Sequence, residues 1–210
     1  MFGVLVPVFA LAAGALAVFF DLRGKRNLVL TFRPVAMLLI IATACGEARP
    51  VAEGYRMLIV GGLVLSLAGD VFMMLPRKRF VAGLVSFLAA HVFYILAFRP
   101  PPGLPVPTGT ILPFVVLALL VFRFLAPSLG KLKFPVLVYI AAVSAMTALA
   151  AGRFVEAGGT GPFLALAGAI LFMASDAVLA YDRFVRKIDR AQLFILGLYY
   201  PAQLLIALSS

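Results

Sequence analysis

Residues 56–75 read RMLIVGGLVLSLAGDVFMML, an apolar run whose only acidic residue is Asp70. Residues 162–181, PFLALAGAILFMASDAVLAY, repeat this arrangement around Asp176, about half the chain length further on. A carboxylate within hydrocarbon is energetically costly, so it normally faces a wet cavity and serves function. Two such residues at matching places predict one shared intramembrane site.

The composition is that of a membrane protein. Hydrophobic residues make up 64% of the chain and charged residues 12%, with a mean hydropathy of +1.14, whereas soluble domains carry about 25% charged residues. Apolar runs of about 17 to 20 residues are long enough to cross the membrane as helices. We predict an all-α integral membrane protein, a single transmembrane domain of residues 1–210. Its eight predicted transmembrane helices are Gly3–Phe20, Leu28–Cys45, Arg56–Leu75, Phe80–Phe98, Thr110–Leu125, Phe134–Ala151, Pro162–Tyr181 and Ala191–Leu208.

A tandem 4+4 repeat around a central intramembrane cavity is the predicted architecture, with residues 1–104 and 105–210 as the possible halves. The Pro-rich connection Arg99–Gly109 lies where two such halves would be joined. Pro34 opens predicted span two, and Pro135 opens predicted span six. An even number of spans in each half relates the two repeats by an axis along the membrane normal.

The connections between spans are otherwise short, apart from the glycine-rich stretch Gly152–Gly161, which predicts a second long loop. Glycine and proline clusters between apolar segments are the usual signals of loops. Nearly every residue therefore falls in a span or a short connection, and no room is left for a soluble domain.

The net charge of +10 indicates membrane topology rather than nucleic-acid binding. Basic residues cluster in alternate loops: Arg23, Lys25, Arg26, Arg77, Lys78, Arg79, Lys131, Lys133, Arg183, Arg186, Lys187 and Arg190. The opposite loops hold few: Arg49, Arg56, Arg99 and Arg153. Because cytoplasmic loops are enriched in Lys and Arg, this pattern places both termini outside the cytoplasm. We expect a multi-pass protein of a bacterial inner membrane, whose basic loops contact anionic membrane lipids.

Neither a metal nor a cofactor is expected. Cys45 is the only cysteine and His91 the only histidine, which argues against a zinc cluster and excludes an internal disulfide. The chain contains no P-loop, no G-x-S-x-G elbow and no H-E-x-x-H motif. Nothing in the sequence indicates the oligomeric state.

The surroundings of the two aspartates suggest how their site is built. Each lies about five residues before the inner end of its predicted span, or ~7 Å below the interface. Small residues follow one face of each span and allow close helix approach: Gly62, Ser66, Gly69, Gly161, Gly168 and Ser175. The alternative is that each aspartate only pairs with a basic loop residue such as Arg77 or Arg183.

Other polar residues also fall within spans. His91 shares a helical face with Phe87 and Tyr94; it either orients water or a carboxylate, or is a core histidine bonded to a neighbour. Arg33, at the predicted start of span two, either binds a lipid phosphate or snorkels to the interface. Span eight carries a polar stripe that either lines a cavity or joins helices: Gln192, Tyr199, Tyr200 and Gln203.

Motifs in both halves carry a family resemblance. They are Gly69-Asp70-Val71-Phe72-Met73-Met74, Ala90-His91-Val92-Phe93-Tyr94, Ser175-Asp176-Ala177-Val178-Leu179-Ala180 and Tyr199-Tyr200-Pro201-Ala202-Gln203. In these motifs the chain resembles the YhhN-like lysoplasmalogenase family. Arg33-Pro34 stands where that family usually has Lys-Pro, and arginine keeps the charge but not the proton-transfer ability of lysine. The resemblance implies hydrolysis of the vinyl ether bond of lysoplasmalogens to a fatty aldehyde and glycerophospho-ethanolamine or -choline, with a lysophospholipid and water as partners.

This chemistry assigns expected roles. Protonation of the β-carbon of a vinyl ether gives an oxocarbenium ion that water captures, which requires one protonated carboxyl group and one carboxylate. We expect Asp70 and Asp176 to serve jointly as acid and base, and His91 to hold the water. The expected substrate contacts are Arg33 to the phosphate and Tyr139, Tyr199, Tyr200 and Gln203 to other polar groups.

Two other functions are compatible with the same residues. Parallel repeats with acidic residues at their interface also describe proton-coupled secondary transporters of a lipid or small solute. Against this alternative, the aspartates lie near the predicted inner interface rather than at the membrane midplane. A non-catalytic lipid-binding protein, the third possibility, would leave both aspartates without a task.

Overall fold

Eight α-helices account for most of residues 2–46, 52–75, 79–100 and 108–210, which the computed structural model describes. They are α1 (Phe2–Leu22), α2 (Arg26–Gly46), α3 (Glu53–Met74), α4 (Phe80–Phe98), α5 (Thr108–Leu125), α6 (Lys133–Ala157), α7 (Thr160–Phe184) and α8 (Ala191–Leu208). Each is long and apolar enough to cross a membrane. Within the described ranges no strand occurs, and the predicted all-helical membrane fold is confirmed.

The predicted loop Gly152–Gly161 is wrong. The α6 helix continues to Ala157 because helix-compatible residues follow Gly152, and only Gly158 and Gly159 separate it from α7. These two glycines have φ of 59° and 80°, a backbone region that residues with a Cβ rarely adopt. The connection between α6 and α7 is therefore a tight two-residue turn.

The predicted position of Arg33 and Pro34 at the start of span two is also wrong. The α2 helix begins at Arg26, so Arg33 and Pro34 lie two turns inside it. A proline within a membrane helix is tolerated when neighbouring groups satisfy the carbonyl that it leaves free. In contrast, Pro135 lies in the first turn of α6, as predicted. Arg77 and Lys78 of the predicted basic loop, and residues 101–107 of the Pro-rich connection, lie outside the described residues.

Consecutive helices pack as pairs: α1 with α2, α3 with α4, α5 with α6 and α7 with α8. The α8 helix lies at the centre, where it also contacts α1, α2 and α3, and α4 packs against α6. Glycines allow these approaches: a Cβ on Gly62 would overlap the Tyr94 ring, and a Cβ on Gly168 would lie 2.7 Å from Ile206. The close helix approach predicted from the small residues is therefore present in both halves.

The pattern of contacts agrees with a 4+4 repeat in most respects. The α2–α3 contact corresponds to α6–α7, and the α4–α6 contact corresponds to α8–α2. The largest departure from this symmetry is that α1 also packs on α8, whereas α5 makes no comparable contact with α4 among the described residues. The repeat itself stays a prediction.

We expect Gly168→Ala to lower the free energy of unfolding by about 1–3 kcal/mol, because the new methyl group would overpack the α7–α8 contact. It would lie 2.8 Å from the Ala202 carbonyl oxygen, a backbone atom that moves only with its helix. Gly197→Ala is the control, since a Cβ there meets nothing within 4 Å. Unfolding of both variants in detergent, followed by circular dichroism, tests the difference. Equal stability of the two variants would contradict the packing.

Candidate functional site

Asp70 forms an ion pair with Arg33. The Nη2 atom of Arg33, on α2, donates a 2.9 Å hydrogen bond to Oδ1 of Asp70, on α3. The Asp70 side chain is only 2% exposed and that of Arg33 11% exposed, so the two buried charges neutralise each other. The Tyr199 hydroxyl lies beside the same carboxylate. Arg33 therefore does not snorkel to the surface but is a largely buried partner of the first aspartate, and its contact with a lipid phosphate stays a prediction.

Asp176 has a different set of partners. The Tyr139 hydroxyl, on α6, donates a 2.9 Å hydrogen bond to its Oδ2. The Nε2 atom of His91 lies 3.7 Å from the same oxygen. The His91 ring is completely buried between the rings of Tyr139 and Phe172, with centroids 5.1 and 4.8 Å away. Within the described part of the chain, no Lys or Arg side chain forms an ion pair with Asp176.

The two aspartates are bonded at the same sequence offset but to unlike partners. Each accepts a hydrogen bond from the residue 37 positions earlier, Arg33 on α2 in the first half and Tyr139 on α6 in the second. Their distances from the ends of their helices differ, however. Asp70 is about one turn from the end of α3, whereas Asp176 is about two turns from the end of α7, which extends past its predicted end at Tyr181.

Both carboxyl groups line one cavity of about 200 Å³, the aspartate cavity, between α2, α3, α4, α7 and α8. Its polar lining residues are Arg33, Asp70, Ser175, Asp176, Asp182, Arg183, Lys187, Gln192 and Tyr199. A second cavity of about 460 Å³, lined by Asp21, Arg26 and residues of the aspartate cavity such as Arg33 and Gln192, lies at the same ends of the helices. The two cavities therefore adjoin at Arg33 and Gln192.

A third cavity, the apolar chamber, adjoins the aspartate cavity. It has a volume of about 310 Å³ and lies between α4, α5, α6 and α7. Asp176 and Arg183 line both spaces, as do Phe80 and Phe87. The site therefore combines two carboxyl groups, basic side chains on one side and an apolar space on the other.

Comparisons with known proteins agree with this architecture. The profile of the YhhN family matches residues 28–210, which include both aspartates and every helix from α3 to α8. The chain belongs to the YhhN family. No solved structure matches it at a significant level.

Proteins similar to this YhhN chain carry the name lysoplasmalogenase. Human lysoplasmalogenase TMEM86B is 37% identical over 162 residues, covering 75% of this chain and 65% of the human protein. Bovine lysoplasmalogenase TMEM86A is 37% identical over 154 residues, covering 71% of this chain and 63% of the bovine protein. A lysoplasmalogenase of Mycobacterium bovis is 33% identical over 197 residues, covering 89% of this chain and 71% of the relative. The chain thus spans less than two thirds of the length of the two mammalian relatives.

The polar residues predicted from the sequence to form the site differ in whether they line one of the two cavities. Arg33, Asp70, Asp176 and Tyr199 line the aspartate cavity, and Tyr139 lines the apolar chamber while bonded to Asp176. His91 reaches Asp176 but lines neither space. Tyr200 and Gln203 also line neither. The Tyr200 ring packs against Gly14, and Gln203 Oε1 accepts a 2.8 Å hydrogen bond from Tyr94. The polar stripe of α8 therefore has two functions: Tyr199 lines a cavity, and Gln203 joins two helices by a hydrogen bond.

Two residues that shape this region, Tyr94 and Asp182, received no role from the sequence. Tyr94 bonds Gln203 at the centre of the bundle, and its position on the His91 face was the available signal. Asp182 accepts a 2.6 Å hydrogen bond from Lys187 and another of 2.9 Å from the Ile188 N–H. These bonds fold the α7–α8 connection over the aspartate cavity. In the sequence, Asp182 could have been noticed as an acidic residue beside a cluster of basic residues.

We expect Arg33→Met to lower the free energy of unfolding by about 3–5 kcal/mol, because it leaves the Asp70 carboxylate buried and unpaired. Adding Asp70→Leu should recover most of this loss, since the two sites are directly coupled. Arg186→Met, at an exposed position of the α7–α8 connection, serves as the control and should have little effect. Unfolding of the wild type, the two single variants, the double variant and the control in detergent measures the coupling. Additive losses from Arg33→Met and Asp70→Leu would contradict the ion pair.

Proposed function

We propose that this YhhN protein is a lysoplasmalogenase, which hydrolyses the vinyl ether bond of a lysoplasmalogen to a fatty aldehyde and a glycerophospho-ethanolamine or -choline. The observation that carries the proposal is that Asp70 and Asp176 line one cavity but have unlike partners. Vinyl ether hydrolysis by this mechanism requires one protonated carboxyl group and one carboxylate. The names of the human, bovine and mycobacterial relatives support the same reaction.

The contacts support separate roles for the two aspartates. Asp70 is the carboxylate in our proposal, because its ion pair with Arg33 favours the charged form. Asp176 is the acid, because it is placed against an apolar space and accepts its hydrogen bond from a neutral hydroxyl group. A lone carboxylate in such surroundings is costly, so the neutral form is preferred.

The reaction then proceeds in three steps. Asp176 transfers its proton to the β-carbon of the vinyl ether, and the α-carbon becomes an oxocarbenium ion. Water attacks that carbon while Asp70 accepts a proton from it, which gives a hemiacetal. Collapse of the hemiacetal breaks the carbon–oxygen bond to glycerol, releases the aldehyde and leaves a hydroxyl group on the glycerol. The net reaction consumes one water molecule, and the proton taken up by Asp70 has to return to Asp176 before the next cycle.

Neighbouring residues support these roles. Tyr139 and His91 position the Asp176 carboxyl group, one by a hydrogen bond and one by contact at 3.7 Å. Arg183 and Lys187, which line the polar side of the cavity, are placed to bind the substrate phosphate. Arg33 serves as the partner of Asp70 in this scheme and reaches the phosphate only through its remaining N–H groups.

We expect purified protein to release aldehyde from lysoplasmenyl-ethanolamine, and both Asp70→Asn and Asp176→Asn to lower kcat about 10²–10⁴-fold through loss of acid–base chemistry. Asp189→Asn is the matched control, because that side chain is 97% exposed in the α7–α8 connection. Aldehyde release is followed with a coupled aldehyde dehydrogenase. Retained activity in either aspartate variant would exclude the two-carboxyl mechanism.

The same assay in detergent separates hydrolysis from transport. A hydrolase releases aldehyde from detergent-solubilised substrate, whereas vectorial transport requires a sealed vesicle. Folded wild-type protein that releases no aldehyde would exclude the hydrolase and leave proton-coupled transport as the function of the aspartates.

We further propose that the protein lies in a bacterial inner membrane with both termini outside the cytoplasm. The supporting observation is that the described basic connections, such as Arg23–Lys25 and Arg183–Arg190, lie at one end of the bundle near the aspartate cavity. The aspartate cavity would therefore open toward the cytoplasmic leaflet.

The single cysteine offers a direct test of this orientation. Cys45 is exposed at the far end of α2, one residue before that helix ends. We expect a membrane-impermeant maleimide to label it in spheroplasts. The control is Lys25→Cys in a Cys45→Ser background, which should react only after the membrane is disrupted. The reverse pattern would contradict the proposed topology.

A further inference from the structure

We propose, on the basis of the hydrolase function above, that the apolar chamber binds the alkenyl chain of a single-chain lipid, which enters sideways from the membrane between α4 and α5. The chamber has walls from α4, α5, α6 and α7 and a volume of about 310 Å³. That volume is at the lower end of the range of about 300–1,000 Å³ found for small-molecule sites.

The position of Asp176 decides which part of the lipid occupies the chamber. In a vinyl ether lipid, the two carbons of the reacting double bond are the first two carbons of the hydrocarbon chain. Asp176 lines both the aspartate cavity and the apolar chamber, so a chain whose β-carbon meets its carboxyl group continues into the chamber. The glycerol and phosphate then point the other way, toward Lys187. Arg183 stands at the junction, with its guanidinium 4.4 Å from the centre of the Phe80 ring.

The far end of the chamber suggests where chain length is selected. A smaller apolar cavity of about 260 Å³ lies beyond it, between α5 and α6. Three residues line both spaces and form the boundary between them: Ala118, Ile140 and Ser144. Because Ala118 and Ser144 have small side chains, a long chain can pass this boundary, whereas a short chain ends before it.

The way α5 packs supports sideways entry. Only Leu125 among its described residues is buried, and its main contacts are with α6. Leu117 is 40% exposed although it lines the chamber, so the chamber reaches the membrane-facing surface there. In the predicted repeat, α1 corresponds to α5. The gap that would correspond to the one between α4 and α5 lies between α8 and α1. It is closed, since Gly14 packs directly against the Tyr200 ring of α8.

A fluorescence experiment tests occupancy of the chamber without relying on activity. The chain contains no tryptophan, so a single introduced tryptophan reports without background. Leu117→Trp places one in the chamber lining. Leu120→Trp places one on the same helix, at a position that is 61% exposed and lines neither apolar cavity. The probe is a saturated 1-O-alkyl lysophosphoethanolamine with two bromine atoms near the chain end, which quenches nearby tryptophan and has no vinyl ether to cleave.

We expect this probe, titrated into phosphatidylcholine vesicles that contain the protein, to quench Leu117→Trp saturably at low mole fraction. Unlabelled 1-O-alkyl lysolipid should reverse the quenching, whereas extra diacyl lipid should not. Leu120→Trp should show only the gradual quenching caused by brominated chains in the bilayer. Equal quenching at the two positions, saturable or not, would overturn the proposed chain site.

The chain-length boundary has its own test. Ala118→Phe should narrow it and lower the kcat/KM preference for a hexadecenyl over an octenyl lysoplasmalogen by about tenfold or more, because each methylene that loses burial weakens binding. Ala42→Phe, the same change at an exposed site of α2, is the control. An unchanged preference in Ala118→Phe would overturn the boundary.

The aldehyde assay and the quenching experiment fail in distinguishable ways. Absence of aldehyde from the wild type together with saturable quenching of Leu117→Trp would refute the hydrolase but retain a chamber for single-chain lipids. Aldehyde release together with equal quenching at residues 117 and 120 would retain the hydrolase and place the chain elsewhere.

Discussion

The burial of two carboxyl groups in an apolar helix bundle is the constraint on which the rest of the structure depends. Removing an ionised group from water costs several kcal/mol unless a partner compensates it. In each half the partner comes from the preceding helix, Arg33 for Asp70 and Tyr139 for Asp176. Forming these bonds requires α2 to pack against α3 and α6 against α7, and both contacts are present. The polar site and the helix packing are therefore consequences of the same two bonds.

The different partners of the two aspartates create the chemical asymmetry of the site. The residue 37 positions earlier carries a cation in the case of Asp70 and a hydroxyl group in the case of Asp176. One carboxyl group is thereby paired with a charge, while the other faces the apolar chamber. A second difference accompanies the first, because α1 closes against α8 whereas α5 packs mainly on α6. The open side of the bundle is thus the side on which Asp176 lies.

Much of the fold follows from the sequence, because hydropathy and length are local properties. The two aspartates are also visible, since charge within an apolar run needs no structural context. The Arg33–Asp70 pair is not visible: Pro34 suggested a helix start, and the sequence does not show which distant acid a basic residue meets. The polar stripe of α8 illustrates the same limit. Tyr199 and Gln203 are one turn apart, yet one lines the aspartate cavity and the other bonds Tyr94, because neighbouring helices decide each environment.

The unequal protonation of the two aspartates is the central claim, and infrared difference spectroscopy of the wild type against Asp70→Asn and Asp176→Asn at neutral pH tests it most directly. A protonated carboxyl group has a carbonyl stretching band that a carboxylate lacks. We expect the wild type to show this band, Asp176→Asn to lose it and Asp70→Asn to keep it. A band that disappears in Asp70→Asn but persists in Asp176→Asn, or a wild type without the band, would contradict the assignment.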